Sequence, residues 1–169
     1  MDGDAAAASV LRIRPATESD VPLVLRFIRE LAEYERLLHE VVATEEAQRD
    51  TLFAARPAAE VVIAEEDGEP LGFALFFHNY STFLAQPGLY LEDLYVRPEA
   101  RGRGAGRALL AHLARLAKER GRGRLEWWVL DWNESAIRFY RSLGARPMDD
   151  WTVFRLTGGD LARLADEAR

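Results

Sequence analysis

Residues 91–107 read LEDLYVRPEARGRGAGR. The first part is a predicted strand that ends at Pro98, and a loop with three glycines, Gly102, Gly104 and Gly106, follows it. The loop opens a helix with an apolar stripe over residues 109–116. Glycines let neighbouring backbone N–H groups face outward, and the first turn of a helix carries unpaired N–H donors at its positive end. This arrangement predicts a binding site for a phosphate group.

The loop differs from two common phosphate-binding motifs. It lacks the Gly-Lys-Ser/Thr of a Walker A loop, and its glycines are not spaced as G-x-G-x-x-G. A flexible basic turn with affinity for RNA is the alternative interpretation. Three glycines this close together destabilise a strand-to-helix junction unless their backbone conformation is needed, which favours the phosphate site.

The elements around the loop follow from apolar spacing and turn residues. Strands are predicted over 10–14, 61–64, 71–77, 89–96, 125–130 and 151–156. Helices are predicted from Thr17, from Thr44 to before Pro57, and over 104–120, 133–143 and 160–168. A hairpin turn at Asp67-Gly68, followed by alternating strands and helices, predicts an α/β (α+β) fold. We expect a central mixed, mostly antiparallel sheet with helices on both faces.

The composition is that of a folded domain. With 169 residues, 49% hydrophobic and 30% charged, the chain can bury its own core. We expect one domain over 10–169, preceded by a poorly ordered tail over 1–9. The chain has no cysteine, so disulfides, thiolate metal sites and a cysteine nucleophile are excluded. The three histidines are far apart in the sequence, and we predict no metal site.

The charge balance bears on the partners. The net charge of −6 disfavours nucleic acid and favours small cationic molecules. No apolar run approaches the ~20 residues of a membrane span, so we expect no membrane partner. The N-terminus lacks the basic start of a signal peptide, and a cytoplasmic protein is the expectation.

A second informative stretch is 132–140, which reads WNESAIRFY. Asn133 is a predicted helix N-cap, and Tyr140 lies two helical turns further on the same face as Ala136. The small Ala136 leaves room for a ligand on that face. Core packing of Phe139 and Tyr140 is the alternative interpretation.

Two spaced patterns now point to a family. The pattern R-x-x-G-x-G at 101–106 and the pattern N-x-x-A-x-x-F-Y at 133–140 each follow a predicted strand. Together they resemble the GNAT (Gcn5-related N-acetyltransferase) superfamily, and the order of elements agrees with it over most of the chain. The segments IRPAT, ELAEYE, YLED and WNE resemble its diamine (spermidine/spermine) and thialysine acetyltransferase branch more closely.

The resemblance implies a GNAT-like fold, acetyl-CoA as the donor, and a homodimer. Backbone amides of the loop would hold the pyrophosphate, which maps here to Arg101, Gly102, Arg103, Gly104, Ala105, Gly106 and Arg107. The pantetheine arm would add between two splayed parallel strands, near Leu94 and Val96 on one side and 125–130 on the other. Asn133, Ala136 and Tyr140 would complete the cofactor site.

The chemistry of acetyl transfer needs a base and an acid. A primary amine has a pKa of about 10.4, so holding it neutral at pH 7 costs about 4.6 kcal/mol. Glu92 is the candidate general base, and Asp93 would point to the opposite face of a regular strand unless a bulge intervenes. Tyr140 is the candidate general acid for the leaving thiolate. Direct transfer in a ternary complex needs no enzyme nucleophile.

The expected acceptor is the primary amine of a small cationic molecule. Glu92, Asp93, Tyr34 and Asp150 are its candidate ligands. A diamine or polyamine and a thialysine-like amino acid both fit, and loops 34–42 and 78–88 are expected to choose between them. The alternatives are an N-acetyltransferase for a protein, a peptide or an aminoglycoside, and a non-catalytic acyl-CoA-binding module. Retention of both Glu92 and Tyr140 argues against the module.

Overall fold

The computed structural model describes residues 9–168. The predicted tail over 1–9 lies outside this range except for Ser9. Strands are β1 (Leu11–Pro15), β2 (Glu60–Glu66), β3 (Glu69–Ser81), β4 (Gln86–Val96) and β5 (Leu125–Trp127). Helices are α1 (Val21–Tyr34), α2 (Glu45–Leu52), α3 (Ala105–Glu119), α4 (Glu134–Ser142) and α5 (Gly158–Ala165). None of these helices is long and apolar enough to cross a bilayer.

The five strands form one mixed sheet in the order β1-β2-β3-β4-β5. The first four pair antiparallel, and β5 pairs with β4 in parallel. The predicted hairpin turn is confirmed, with Asp67 and Gly68 at φ of 51° and 84°. Positive φ at both central residues matches the twist of a two-residue hairpin, which explains the Asp-Gly sequence.

Helices α1 and α3 pack against the sheet through their apolar stripes. Phe27 of α1 stacks on Phe73 of β3 with ring centroids 5.6 Å apart, and Tyr95 joins the same cluster. The apolar stripe of α3 is buried at Leu109 and Leu113, and α3 packs against β2, β3 and β4. The predicted mostly antiparallel sheet with helices is confirmed.

Glu92 is the extra residue of a β-bulge in β4. Leu75 pairs with Asp93 and Phe76 pairs with Leu91, so the register leaves Glu92 without a partner on β3. A bulge bends its strand and re-aims the side chains beside it. Asp93 therefore shares the face of Leu75, which packs against the α1 cluster. The regular alternation expected for Glu92 and Asp93 does not hold, because the strand is not regular at this point.

The bulge also marks where the parallel pair ends. The register of β4 and β5 runs from the pair Leu89–Leu125 to the pair Leu91–Trp127, immediately before Glu92. The predicted strand over 125–130 is therefore too long, because the pairing ends at Trp127 and residues 128–130 are not in a strand.

The predicted strand over 151–156 is wrong. These residues are described, and they form no strand. The described residues divide into two compact units, one ending at Trp128 and the other beginning at Val129. In the described part of the second unit, the regular elements are α4 and α5. An alternating sequence becomes a strand only where another strand accepts its hydrogen bonds, and this unit supplies none.

The predicted helix starts agree with the structure more closely. Thr44 caps α2 by accepting a hydrogen bond from the N–H of Ala47 at 3.2 Å, as predicted. The helix expected from Thr17 begins instead with a short 3-10 turn over Glu18–Asp20, and α1 follows at Val21. The Asp20 carboxylate closes that turn by accepting from the N–H of Thr17 at 2.7 Å.

Candidate active site

The glycine loop has the open backbone that its sequence predicts. Gly102 and Gly104 have φ of 76° and 90°, a left-handed conformation that favours glycine. A Cβ built on either glycine would meet nothing within 4 Å, so the backbone faces open space. Gly104 immediately precedes α3, and no side chain caps that helix start. The N–H groups of the first turn are therefore oriented as an anion site requires.

Arg101 anchors the loop to the rest of the unit. Its Nε donates to the carbonyl oxygen of Val96 at 3.0 Å, and its guanidinium lies over the ring of Tyr34 at 4.8 Å from the centroid. It also lies 6.0 Å from the ring centroid of Tyr95. The structure thus brings two predicted site residues, Tyr34 and Arg101, into direct contact. The Arg101 side chain therefore fixes the start of the loop against Val96, Tyr34 and Tyr95.

Arg103 is also engaged within the protein. Its guanidinium donates to the carboxylate of Glu66 at the end of β2. The loop is therefore held on one side by Tyr34 of α1 and on the other by β2.

The bulge gathers carboxylates. Burial, then the neighbouring charges of Glu92 and Glu35, raise the pKa of Asp93 from 3.8 to about 6. Burial also raises the pKa of Glu35 above its usual value. Glu92 itself is exposed. Negative groups held together in a partly desolvated position attract a cation and disfavour a second anion.

Glu35 belongs to this acidic cluster and was not among the predicted site residues. It follows α1 directly as its C-cap residue, next to Tyr34. The one signal for it in the sequence is its place beside Tyr34 in the ELAEYE segment. Its approach to Asp93 depends on how α1 packs on the sheet, which no local pattern specifies.

Three aromatic rings form a second feature that the sequence did not predict as a site. The rings of Phe77 and Tyr90, which are cross-strand partners, have centroids 5.1 Å apart. Trp128 stands edge-on to Tyr90 at 5.8 Å. Burial, then the carboxylates of Glu92 and Glu126, raise the pKa of Tyr90 to about 12. The aromatic cluster (Phe77, Tyr90 and Trp128) is thus next to the carboxylates at the bulge.

The candidate residues of the second unit are on α4 and in one turn. Asn133 caps α4, because its Oδ1 accepts from the N–H of Ala136 at 3.2 Å. The predicted N-cap is confirmed. Tyr140 is on the same helix, with its ring 5.5 Å from that of Phe139. Asp150 lies in the turn before Trp151.

The strand positions expected along the pantetheine arm lie beyond the bulge. Leu94 and Val96 are half-buried and follow the last residue of β4 that pairs with β5. Within residues 9–168, no three metal-ligating side chains are grouped as a metal ion would need.

Comparison with known proteins places this geometry in a family. The model of the acetyltransferase (GNAT) family matches residues 26–145. The chain belongs to the GNAT family. This family uses acetyl-CoA generally, and the chain is an N-acetyltransferase. The predicted family and enzyme class are confirmed.

Individual relatives are similar over almost the whole chain. A thialysine N-epsilon-acetyltransferase of Sus scrofa is 41% identical and covers 94% of this chain and 98% of its own length. An L-ornithine N5-acetyltransferase of Arabidopsis thaliana is 36% identical and covers 90% of this chain and 87% of its own. Among solved structures, an integron cassette protein from the mobile metagenome of V. cholerae is 27% identical and superimposes with a TM-score of 0.78, over 93% of this chain and 98% of its own.

The raised pKa of Asp93 predicts how stability varies with pH. Its pKa is about 6 in the folded protein, against 3.8 for an unperturbed aspartate, so folding favours the protonated acid. The resulting stability is present below about pH 4 and is lost as the pH rises through about 6, by up to about 3 kcal/mol at 1.36 kcal/mol per pH unit. Relative to wild type, the free energy of unfolding of Asp93→Asn should therefore be higher at pH 8 than at pH 4.5. Urea unfolding at the two pH values measures this difference.

Asp20→Asn is the matched control with the opposite sign. Its hydrogen bonds with Arg14 lower the pKa of Asp20 to about 2, so the stability it contributes is present above about pH 4 and is lost as the pH falls through about 2. Relative to wild type, the free energy of unfolding of Asp20→Asn should therefore be lower at pH 4.5 than at pH 2.5, and about the same at pH 4.5 and pH 8. An effect of Asp93→Asn that is equal at both pH values would contradict the raised pKa.

Proposed function

We propose that this enzyme transfers the acetyl group of acetyl-CoA to the side-chain amine of a small, thialysine-like amino acid. The acidic cluster at the β4 bulge carries the proposal, because it is suited to a protonated amine. The relatives named for thialysine and L-ornithine support the choice of acceptor. Both compounds are amino acids whose side chain ends in a primary amine. A diamine or polyamine is the nearest alternative, and a peptide amine is a second.

The glycine loop would bind the donor. The backbone N–H groups of Gly102 to Arg107 would receive the pyrophosphate, and the open space above Gly102 and Gly104 fits that role. Leu94 and Val96 would flank the pantetheine arm, with Asn133 and Ala136 contributing from α4. When bound, acetyl-CoA supplies an activated thioester, and the enzyme residues would accept and donate the protons of the reaction.

Glu92 would remove the proton from the acceptor ammonium. It is exposed at the bulge, where a substrate and a water molecule can reach it. Asp93 is the second candidate for this role, because its pKa of about 6 lies near the operating pH. In the main proposal, Asp93 and Glu35 instead attract the cation and orient it, and Tyr34 and Asp150 contact the remainder of the acceptor.

Tyr140 would donate a proton to the departing CoA thiolate. A phenol has a pKa of about 10 and a thiol one of about 8.5, so this transfer is uphill by only about 2 kcal/mol, and the phenolate then regains a proton from solvent. The neutral nitrogen would attack the acetyl carbon, the carbon–sulfur bond would break, the thiolate would take the tyrosine proton, and the nitrogen would release its second proton to solvent to leave the neutral amide. The single domain, homodimer and cytoplasmic location expected from the sequence stay predictions.

Acetyl-CoA-dependent release of CoA, measured over a panel of amines, tests the function directly. The panel holds thialysine, ornithine, lysine, putrescine, spermidine, an aminoglycoside and a basic peptide. We expect the amino acids with a terminal amine to give the highest kcat/KM. Higher turnover of polyamines or of the peptide would replace the proposed acceptor. Binding of acetyl-CoA without turnover of any amine would indicate a non-catalytic module.

Glu92→Gln tests the general base. Without the carboxylate, deprotonation depends on solvent, so the rising limb of the kcat/KM profile should move to higher pH and the rate at pH 7 should fall about 10²- to 10⁴-fold. Asp93→Asn serves as the comparison and should raise KM for the amine more than it changes the profile. If only Asp93→Asn moves the profile, Asp93 is the base.

Tyr140→Phe tests the general acid. It removes one hydroxyl and little volume, so kcat should fall about 10²-fold or more, while the Kd of acetyl-CoA stays within about twofold. Stopped-flow single-turnover kinetics at saturating donor would isolate the chemical step. An unchanged rate in that experiment would exclude Tyr140 as the proton donor.

A further inference from the structure

The aromatic cluster of Phe77, Tyr90 and Trp128 differs from the aromatic core of the same unit. Phe27 and Phe73 are fully buried, whereas Trp128 is 61% exposed. Trp128 is nevertheless held in a defined orientation, with its plane at 84° to the Tyr90 ring. An exposed indole that is fixed against a second ring offers a ready-made apolar surface.

The position of this surface indicates what it meets. Tyr90 is two residues before Glu92 on β4, and its phenol is close enough to Glu92 and Glu126 to respond to both charges. Phe77 lies across from Tyr90 on β3, and Trp128 follows β5. The aromatic cluster therefore adjoins the position where the acceptor amine would lose its proton.

Glu126 has a structural partner already. Its carboxylate accepts from the Nδ2 of Asn79 at 2.8 Å and forms an ion pair with Arg124 at 2.8 Å. These two contacts hold the Glu126 carboxylate in place beside the aromatic cluster. Glu92 is therefore the carboxylate that would receive the ammonium group of the acceptor.

We propose that the aromatic cluster binds the uncharged stem of the acceptor, and that Trp128 selects among acceptors by the chemistry of that stem. The proposal rests on the proposed function. The stem of lysine consists of methylenes alone, whereas thialysine carries a thioether sulfur in place of one methylene along an equally long chain. A thioether against an aromatic ring is favoured by about two- to tenfold in affinity, and a protonated amine is also attracted to ring faces. The cluster should therefore prefer thialysine over lysine.

Trp128→Ala, Trp128→Leu and Trp128→Phe form the test series. The readouts are kcat/KM for thialysine and for lysine, and the KM of acetyl-CoA, each with a thermal melt to establish folding. In Trp128→Ala, kcat/KM for thialysine should fall about tenfold, and the ratio of thialysine to lysine should fall about three- to tenfold. Trp128→Leu keeps apolar bulk without a ring, so its thialysine-to-lysine ratio should fall as far as that of Trp128→Ala. Trp128→Phe restores a ring and should recover most of it.

Phe154→Ala is the control, because it removes an exposed aromatic ring outside the predicted site. All its constants should match wild type. An unchanged thialysine-to-lysine ratio in a folded Trp128→Ala or Trp128→Leu variant would overturn the proposal. If wild type turns over no amine, the proposed function fails on its own. Calorimetric titration of thialysine into the CoA-bound enzyme then still tests the subsite, since equal Kd values for wild type and Trp128→Leu would reject it.

Discussion

The irregular pairing at Glu92 is the constraint on which the candidate site depends. One extra residue in β4 places Asp93 on the α1 face, where it meets the charge of Glu35. The same residue stands where β4 and β5 cease to pair. In a regular strand, Glu92 and Asp93 would point to opposite faces of the sheet. The bulge therefore brings the acidic residues of the proposed acceptor site to the point where the parallel pairing ends.

The donor loop depends on a different kind of constraint. Gly102 and Gly104 supply left-handed backbone, and the side chains of Arg101 and Arg103 anchor the loop to the protein. Arg101 ties the loop to the carbonyl of Val96 and to the ring of Tyr34, while Arg103 is paired with Glu66. The positive charge of this stretch would suggest phosphate binding by side chains. The proposal gives that task to backbone N–H groups, which cost little conformational entropy to orient when the loop is already fixed.

The parts of the fold that the sequence predicted correctly are those with local causes. Asp67-Gly68, the Thr44 and Asn133 caps and the glycine loop each depend on residues within one turn of the chain. The bulge, the short β5 and the approach of Glu35 depend on register and packing between distant segments, and no periodicity encodes them. The wrongly predicted strand over 151–156 has the same cause. Its residues alternate between apolar and polar, but the described part of the second unit contains no strand that could pair with it. The sequence did not predict the aromatic cluster, because two adjacent strand residues such as Trp127 and Trp128 simply point to opposite faces of a sheet. The contact between Trp128 and Tyr90 is visible only in the structure.

The proximity of the Glu35, Glu92 and Asp93 carboxylates has a cost to the stability of the fold. Like charges in a partly desolvated place raise the free energy of the folded state, and natural folds tolerate such defects mainly where function needs them. Burial first, and the charges of Glu92 and Glu35 second, make the ionised form of Asp93 unfavourable in the folded protein. A cation bound beside these carboxylates would offset that cost, so part of its affinity would come from the relief of an unfavourable charge in the protein and not only from contacts with the ligand. A neutral analogue of the same shape forgoes this gain, which makes charge, before size or length, the first property by which such a site distinguishes molecules.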